Sequence, residues 1–339
     1  MRPRPRIRPV AVSMAVLVAA AFGSLVLGPA GVNPWQAIVE VLDHLPGVSV
    51  DSGLSNQEAA IVWQIRVPRL VLAGLVGATL AGSGAAYQGV FRNPLADPYL
   101  LGVAAGAGLG ATIAIVSGLP TTTIPPLAFG GAVLAVVAAY GLASLGGSRR
   151  SGVTLILSGV AVAAFFTALQ TYLQQQHADT IRQVFSWILG RLGTTGWGDV
   201  RTLLPYAVVS WLVLFAHRRH LDVMAVGEEE ASTLGINPAR VRLIVVAGAT
   251  LGAASAVAVS GLIAFVGIIV PHIARMATGP SHRVLLPVSL TGGAAFLMVA
   301  DLVARTVQSG GELPIGVVTA FVGAPFFAFI LATRREVGA

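Results

Sequence analysis

The chain has 339 residues and a net charge of +7, with 55% hydrophobic and only 10% charged residues and a mean hydropathy of +0.81. A soluble domain carries roughly 25% charged residues, so a water-exposed globule is excluded and lipid must be the solvent for much of the chain. The absence of cysteine excludes disulfides, iron–sulfur clusters and thiolate metal sites, and the absence of lysine excludes the G-x-x-x-x-G-K-[ST] phosphate loop and with it P-loop ATP hydrolysis.

The first apolar run, Val10 to Pro29, follows Arg2, Arg4, Arg6 and Arg8. A cleavable signal has an apolar core of only ~7–15 residues, whereas this run is about a full span of ~20, so it reads as a first transmembrane helix. Further apolar stretches follow at 68–90, 99–117, 125–145, 153–173, 203–217, 243–260, 262–276, 284–303 and 315–332. The expected fold is all-α, a polytopic membrane protein of about ten transmembrane helices. Both ends are arginine-rich, which places the N- and C-termini in the cytoplasm and requires an even number of crossings. On that topology fifteen arginines are cytoplasmic (2, 4, 6, 8, 92, 149, 150, 218, 219, 240, 242, 275, 283, 334 and 335). Six are external (66, 69, 182, 191, 201 and 305). Arginines scattered between apolar runs fix orientation in a membrane and do not form a nucleic-acid face, so no nucleic-acid partner is expected.

Residues 1–339 read as a single membrane domain, with 1–9 a cytoplasmic basic tail and 218–240 a cytoplasmic loop. Two connections, 30–67 and 174–202, fall outside, and Trp35 to Leu45 has the pattern of a surface helix. Forty glycines suit close helix packing, since lipid gives helices no hydrophobic reason to associate.

Ion-coupled carriers place titratable groups at mid-membrane. None of the fourteen acids falls in the middle of an expected span, and Asp301, near the outer end of the ninth helix, comes closest. His272 sits at a cytoplasmic helix end with no partner at metal-ligand spacing. A catalytic or metal site is therefore not expected, an ion-coupled secondary transporter of a small solute is the weaker alternative, and energy must come from a partner.

The motifs run along the whole chain. They are Arg66-Val67-Pro68-Arg69, Gly77 to Gly84, Gln88, Arg92-Asn93-Pro94-Leu95-Ala96-Asp97-Pro98 and Leu100-Leu101-Gly102. Then come Gly227-Glu228-Glu229-Glu230-Ala231-Ser232-Thr233-Leu234-Gly235, Phe265 to Arg275, and Glu312 to Phe327. In this order they resemble the FecCD-type permease family, the membrane subunits of ABC importers for iron–siderophore complexes, haem and vitamin B12.

The resemblance implies a permease subunit with no cofactor and no enzymatic activity of its own, multi-pass in the plasma membrane of a bacterium. Its partners would be two copies of an ATP-binding subunit, an extracytoplasmic substrate-binding protein, a second permease subunit (homodimer or heterodimer) and membrane lipid. The expected cargo is a metal chelate, iron(III)–siderophore foremost, with haem and vitamin B12 as the other candidates. Arg66, Arg69 and Arg305 match arginines that meet acidic residues of the binding protein. Guanidinium suits this because its fork pairs bidentately with a carboxylate; the bland reading is snorkelling to headgroups. Asn93 and Leu95 match the cytoplasmic gate, although two prolines alone would make a rigid turn. Ser151 and Gly152 match a second gate loop in position. Gly227, Glu228, Ala231, Leu234 and Gly235 match the coupling helix that sits on the ATPase, where a solvated charge run is the plain alternative. Gly235-Ile236-Asn237-Pro238 is expected to end that helix, with glycine in the left-handed cap. The segments Phe265 to Arg275 and Glu312 to Phe327 are expected to be packing.

Overall fold

A computed structural model of the chain describes residues 7–28, 31–44, 46–145, 152–193, 196–308 and 311–334. The long helices are α1 (Ile7–Val26), α4 (Val67–Val90), α5 (Val103–Val116), α6 (Ile124–Leu145), α7 (Gly152–Gln176), α9 (Gly198–Met224), α11 (Pro238–Ser260), α12 (Val266–Thr278), α13 (His282–Thr306) and α14 (Ile315–Arg334). Shorter helices are α2 (Pro34–Asp43), α3 (Asn56–Ile61), α8 (Ile181–Ile188) and α10 (Glu228–Thr233). Every expected span holds a helix. Among the described residues seven helical stretches are long and apolar enough to cross a membrane, and α5, α12 and α14 are shorter apolar helices. The chain is an all-α polytopic membrane protein. The surface helix expected at Trp35 is α2, started by Asn33 accepting from the Trp35 amide at 3.0 Å, with Pro34 in the first turn.

α4 is the central post. It is apolar and small all round, which is the pattern of a helix buried on every side, and most of its residues from Val67 to Val90 are buried. Glycine lets backbones touch where any side chain would collide. A Cβ on Gly77 would lie 2.2 Å from the Gly293 carbonyl oxygen of α13, and one on Gly84 2.0 Å from that of Gly267 in α12. Gly106 of α5 meets Gly131 of α6 in the same way. This is the small-residue packing anticipated from composition. Polar side chains add bonds across the bundle: Ser83 Oγ donates to the Ala249 carbonyl at 2.9 Å, and the Tyr87 and Thr250 hydroxyls pair at 2.8 Å.

Two spans are broken, and they meet. After α4 the chain climbs back into the bundle before α5 begins, and after α11 it descends through residues 261–265 before α12 begins. Non-helical backbone at membrane depth is tolerated only where protein covers it and its polar groups are met. Here the Tyr99 hydroxyl donates to the Ile263 carbonyl at 3.0 Å and accepts from its amide at 3.3 Å. Gln88 Nε2 donates to the Gly267 carbonyl at 3.2 Å. Phe265 has a left-handed φ of 71°, and its ring fills the notch left by Gly323 of α14.

The junction corrects one expectation. Asp97 is buried, and its Oδ2 lies 3.1 Å from where a Gly267 Cβ would be, beside the Leu80 carbonyl. Leu80 lies ten residues before the end of α4, ~15 Å along its axis. An acid therefore does sit deep in the bundle, next to the start of α12, whose amide dipoles favour negative charge. Asp97 also accepts from the Tyr99 amide at 2.8 Å, starting the turn that leads into α5.

Candidate functional sites at the two ends

Helix direction sorts the motifs. Arg66 and Arg69 begin α4 and Arg305 lies in the last turn of the antiparallel α13, so the three share one end of the bundle. The close of α4, the close of α9, the start of α13 and α10 share the other, since Gly89 and Asp222 both meet His282.

At the arginine end two guanidinium groups, those of Arg69 and Arg305, hold one buried carboxylate, and a third, that of Arg66, lies beside Arg305. Arg69 Nε donates to Asp301 Oδ1 at 2.9 Å and Oδ2 at 3.2 Å, and its Nη2 lies 2.8 Å from Oδ1. Its Nη1 donates to Glu312 Oε1 at 2.7 Å. Arg305, one turn beyond Asp301, donates to the Ser24 carbonyl and to Ser24 Oγ at 2.7 Å, and its Nε lies 3.5 Å from Asp301 Oδ2. Arg66 Nη1 donates to the Leu25 carbonyl at 3.3 Å, and Nη2 is buried with no partner among the described residues. Gly28 makes room, for a Cβ there would stand 3.1 Å from Arg66 Cζ and 3.3 Å from Arg305 Nη1.

The three expected docking residues thus come together, but two of them are buried, Arg66 at 6% exposed and Arg305 at 8%, and Arg69 is only partly exposed. Three cations against Asp301 and Glu312 leave one positive charge in excess. Glu312, half exposed, is held below its ordinary pKa by the hydrogen bond from Arg69 and the nearby positive charge of Arg69 and Arg305, against partial burial. Its segment is therefore more than packing. Beside this cluster a cavity of about 390 Å³ is lined by Arg69, Glu312, the exposed Arg182 and Arg191, and the apolar Phe185 and Leu189.

At the other end α9 runs into α10 through Ala225 to Gly227. Ala231 is fully buried and Glu228 is bonded to Arg242 of α11, which holds α10 against the bundle. The residues flanking α10 are bare, Leu234 at 70% exposed and Val226 at 74%, and Glu229 and Glu230 also face water. Gly235 ends the helix as expected, at φ +78°, with its amide donating to Ser232 and that of Ile236 to the Ala231 carbonyl, each at 3.0 Å. Gly227 is extended and buried.

The turn after α4 holds Asn93 and Leu95 half-buried. Arg92 takes a left-handed φ of 50°, and Asn93 Oδ1 accepts from the Leu95 amide at 3.0 Å. Gly152, opening α7, packs on Phe91 at the end of α4, where its Cβ would come within 3.2 Å of the ring. The two expected gate elements are neighbours there; Ser151 lies outside the described residues.

Sequence reasoning passed over Asp222. Its Oδ1 accepts from the His282 amide at 2.6 Å and lies 2.9 Å from His282 Nδ1, and its Oδ2 accepts from Ser281 Oγ at 2.9 Å. It caps α13 from the last turn of α9, a bond across 59 or 60 residues that no local pattern announces. His272 packs edge-on to Phe326. Among the described residues no group of three or more His, Cys, Asp or Glu side chains is placed to hold a metal.

The chain is similar to known proteins over most of its length. It is 42% identical over 305 residues to the cobalamin import system permease protein BtuC of Halobacterium salinarum, covering 89% of this chain and 80% of that one. It is 35% identical to the Fe(3+) dicitrate transport system permease protein FecD of Escherichia coli, covering 89% and 91%. A solved inward-facing structure of a metal-chelate type ABC transporter superposes with a TM-score of 0.83 at 29% identity, covering 96% of this chain and 99% of that one. The profile of the FecCD transport family matches residues 16–333. With its helices, its glycine contacts and its motifs in register, the chain is a multi-pass membrane permease and belongs to the FecCD transport family.

Proposed function

We propose that the chain is the membrane-spanning subunit of a binding-protein-dependent ABC importer that carries a metal chelate across the plasma membrane of a bacterium. The observation that carries this reading is α10. A helix anchored by Ala231 and Glu228, capped at Gly235, and presenting Leu234 and Val226 to water has no reason to be bare unless a partner covers it. A chain without lysine cannot supply a P-loop, so that partner is an ATP-binding subunit, one for each copy of a paired permease. Family membership favours this over an ion-coupled carrier, whose exclusion no longer rests on missing acids now that Asp97 is seen at depth.

The arginine end faces outward on the fifteen-to-six distribution of arginines, with both termini in the cytoplasm. Arg66, Arg69 and Arg305 receive acidic residues of a binding protein there by exchanging bonds: Glu312 is the exposed partner of Arg69, and an arriving carboxylate takes its place. Asn93, Leu95, Ser151 and Gly152 form the cytoplasmic gate, and Gly227, Glu228, Ala231, Leu234 and Gly235 the ATPase contact. The iron(III)–siderophore reading draws support from the ferric dicitrate relative; the 42% identical cobalamin relative supports vitamin B12 as a second reading.

Proteoliposomes holding this chain with an ATPase and a binding protein test both. Uptake of a radiolabelled ferric siderophore or of cobalamin that needs ATP hydrolysis, and is lost when Arg66, Arg69 and Arg305 are changed to Glu, is the expected result. Uptake driven by an imposed ion gradient without ATP would move the chain to the secondary carriers.

A further inference from the structure

The ATPase-facing helix and the gate turn are far apart in sequence, and the structure places one cluster between them. α10 begins four residues after α9 ends, with Gly227 extended between them, so a displacement of α10 is felt first in the last turn of α9. That turn holds Asp222, bonded to Ser281 and to both the amide and ring of His282 at distances of 2.6 to 2.9 Å. The His282 ring in turn lies against the backbone of Gly89, where a Cβ would stand 2.5 Å from Nε2. Gly89 belongs to the last turn of α4, its carbonyl accepts from the Arg92 amide, and the Gln88 carbonyl beside it accepts from the Asn93 amide at 3.2 Å. No flexible side chain separates these steps, because His282 is 3% exposed and Gly89 offers only backbone.

We infer that Asp222 and His282 are positioning residues that carry movement of α10 to the gate turn at Asn93, with Gly89 as the contact surface. The inference rests on the reading of α10 as the ATPase contact. Motion of this kind needs a packed interface that shifts as a unit, and a carboxylate capping a helix start is suited to it. Its two oxygens are engaged by the start of α13, so that start and the close of α9 translate together. Removing the carboxylate leaves both helices folded and removes the link.

The test uses the complete importer in proteoliposomes, read as uptake of radiolabelled ferric dicitrate and cyanocobalamin per ATP hydrolysed. Asp222→Ala is expected to lower that ratio at least about 5-fold, the lower end of ordinary coupling between sites, while hydrolysis and assembly stay at the wild-type level. Asp222→Asn, whose Oδ1 still accepts from the His282 amide and whose Nδ2 can donate to Ser281 Oγ with the hydroxyl turned round, is expected to restore most of the ratio. A merely structural role would lower uptake and hydrolysis together and leave their ratio unchanged, and that result overturns the inference. If Asp222→Ala does not assemble, Ser281→Ala removes a single bond and is expected to lower the ratio by a smaller factor; an unchanged ratio there overturns it equally. A wild-type importer that takes up neither probe overturns the underlying reading, and the relay with it.

Discussion

The two ends of the bundle use charge in opposite ways. At the arginine end Arg66, Arg305 and Asp301 are buried, and the exposed member of their network is Glu312. At the other end Glu229 and Glu230 of α10 face water while Glu228 is tied to Arg242, and what is anomalous there is apolar: Leu234 and Val226 stand in solvent. A buried pair is held in place by the cost of separating it, whereas a bare leucine on an anchored helix is held ready for something else. The arginine end is thus stability with a partner's surface built on top, and the acidic end is a partner's surface with little stability invested in it.

That contrast can be broken most severely at Asp301. Asp301→Ala leaves Arg69 and Arg305 buried without their shared carboxylate, and a loss of about 3–5 kcal/mol is expected, read as a fall in thermal stability and folded yield in detergent. A smaller loss is expected between the ends. Gly84→Ala drives a methyl against the Gly267 backbone and should cost about 1–3 kcal/mol, read in the same melting experiment. If it melts like wild type, close glycine packing is not what joins α4 to α12. At the acidic end Leu234→Asp is expected to stay within about 0.5 kcal/mol of wild type, as exposed substitutions do, and yet to lose co-purification with the ATPase. Equal losses of stability from Leu234→Asp and Asp301→Ala would erase the distinction between the ends.

The smallest effect sharpens it. Glu312 has a pKa lowered by its bond to Arg69 and lies outside the spans. A depressed carboxylate contributes stability that is present above its unfolded value, near 4.5, and lost as pH falls through the folded value. Glu312→Gln is therefore expected to melt slightly below wild type at neutral pH, with the gap closing only below about pH 4.5. A gap that persists in strong acid would show that Glu312 acts by packing and not by charge.

The spans, the surface helix α2 and the Gly235 cap were all legible, because each rests on a local pattern: an apolar run of the right length, an Asn-Pro start, a glycine after the last turn. The depth of Asp97 was not. Arg92-Asn93-Pro94 reads as a turn in one dimension, and nothing in it says that the following residues climb back beside Leu80. The i, i+4 spacing of Asp301 and Arg305 is visible in the sequence, but the bonds that give it meaning come from Arg69, more than 200 residues earlier. α8 was missed inside a polar connection, although Ile181, Val184, Phe185 and Ile188 carry a helical period that could have found it.

The covered segment 261–265 has a consequence for exchange with solvent. Amide hydrogens are lost by local opening, and opening there requires Tyr99, Phe265 and the start of α12 to separate together. The Ile263 amide, in no helix and bonded only to a tyrosine hydroxyl, is expected to retain its proton longer than the Leu234 amide, which is bonded to the Glu230 carbonyl at the close of the exposed α10. A stretch that a secondary-structure diagram would draw as loop is thus expected to outlast the close of a helix.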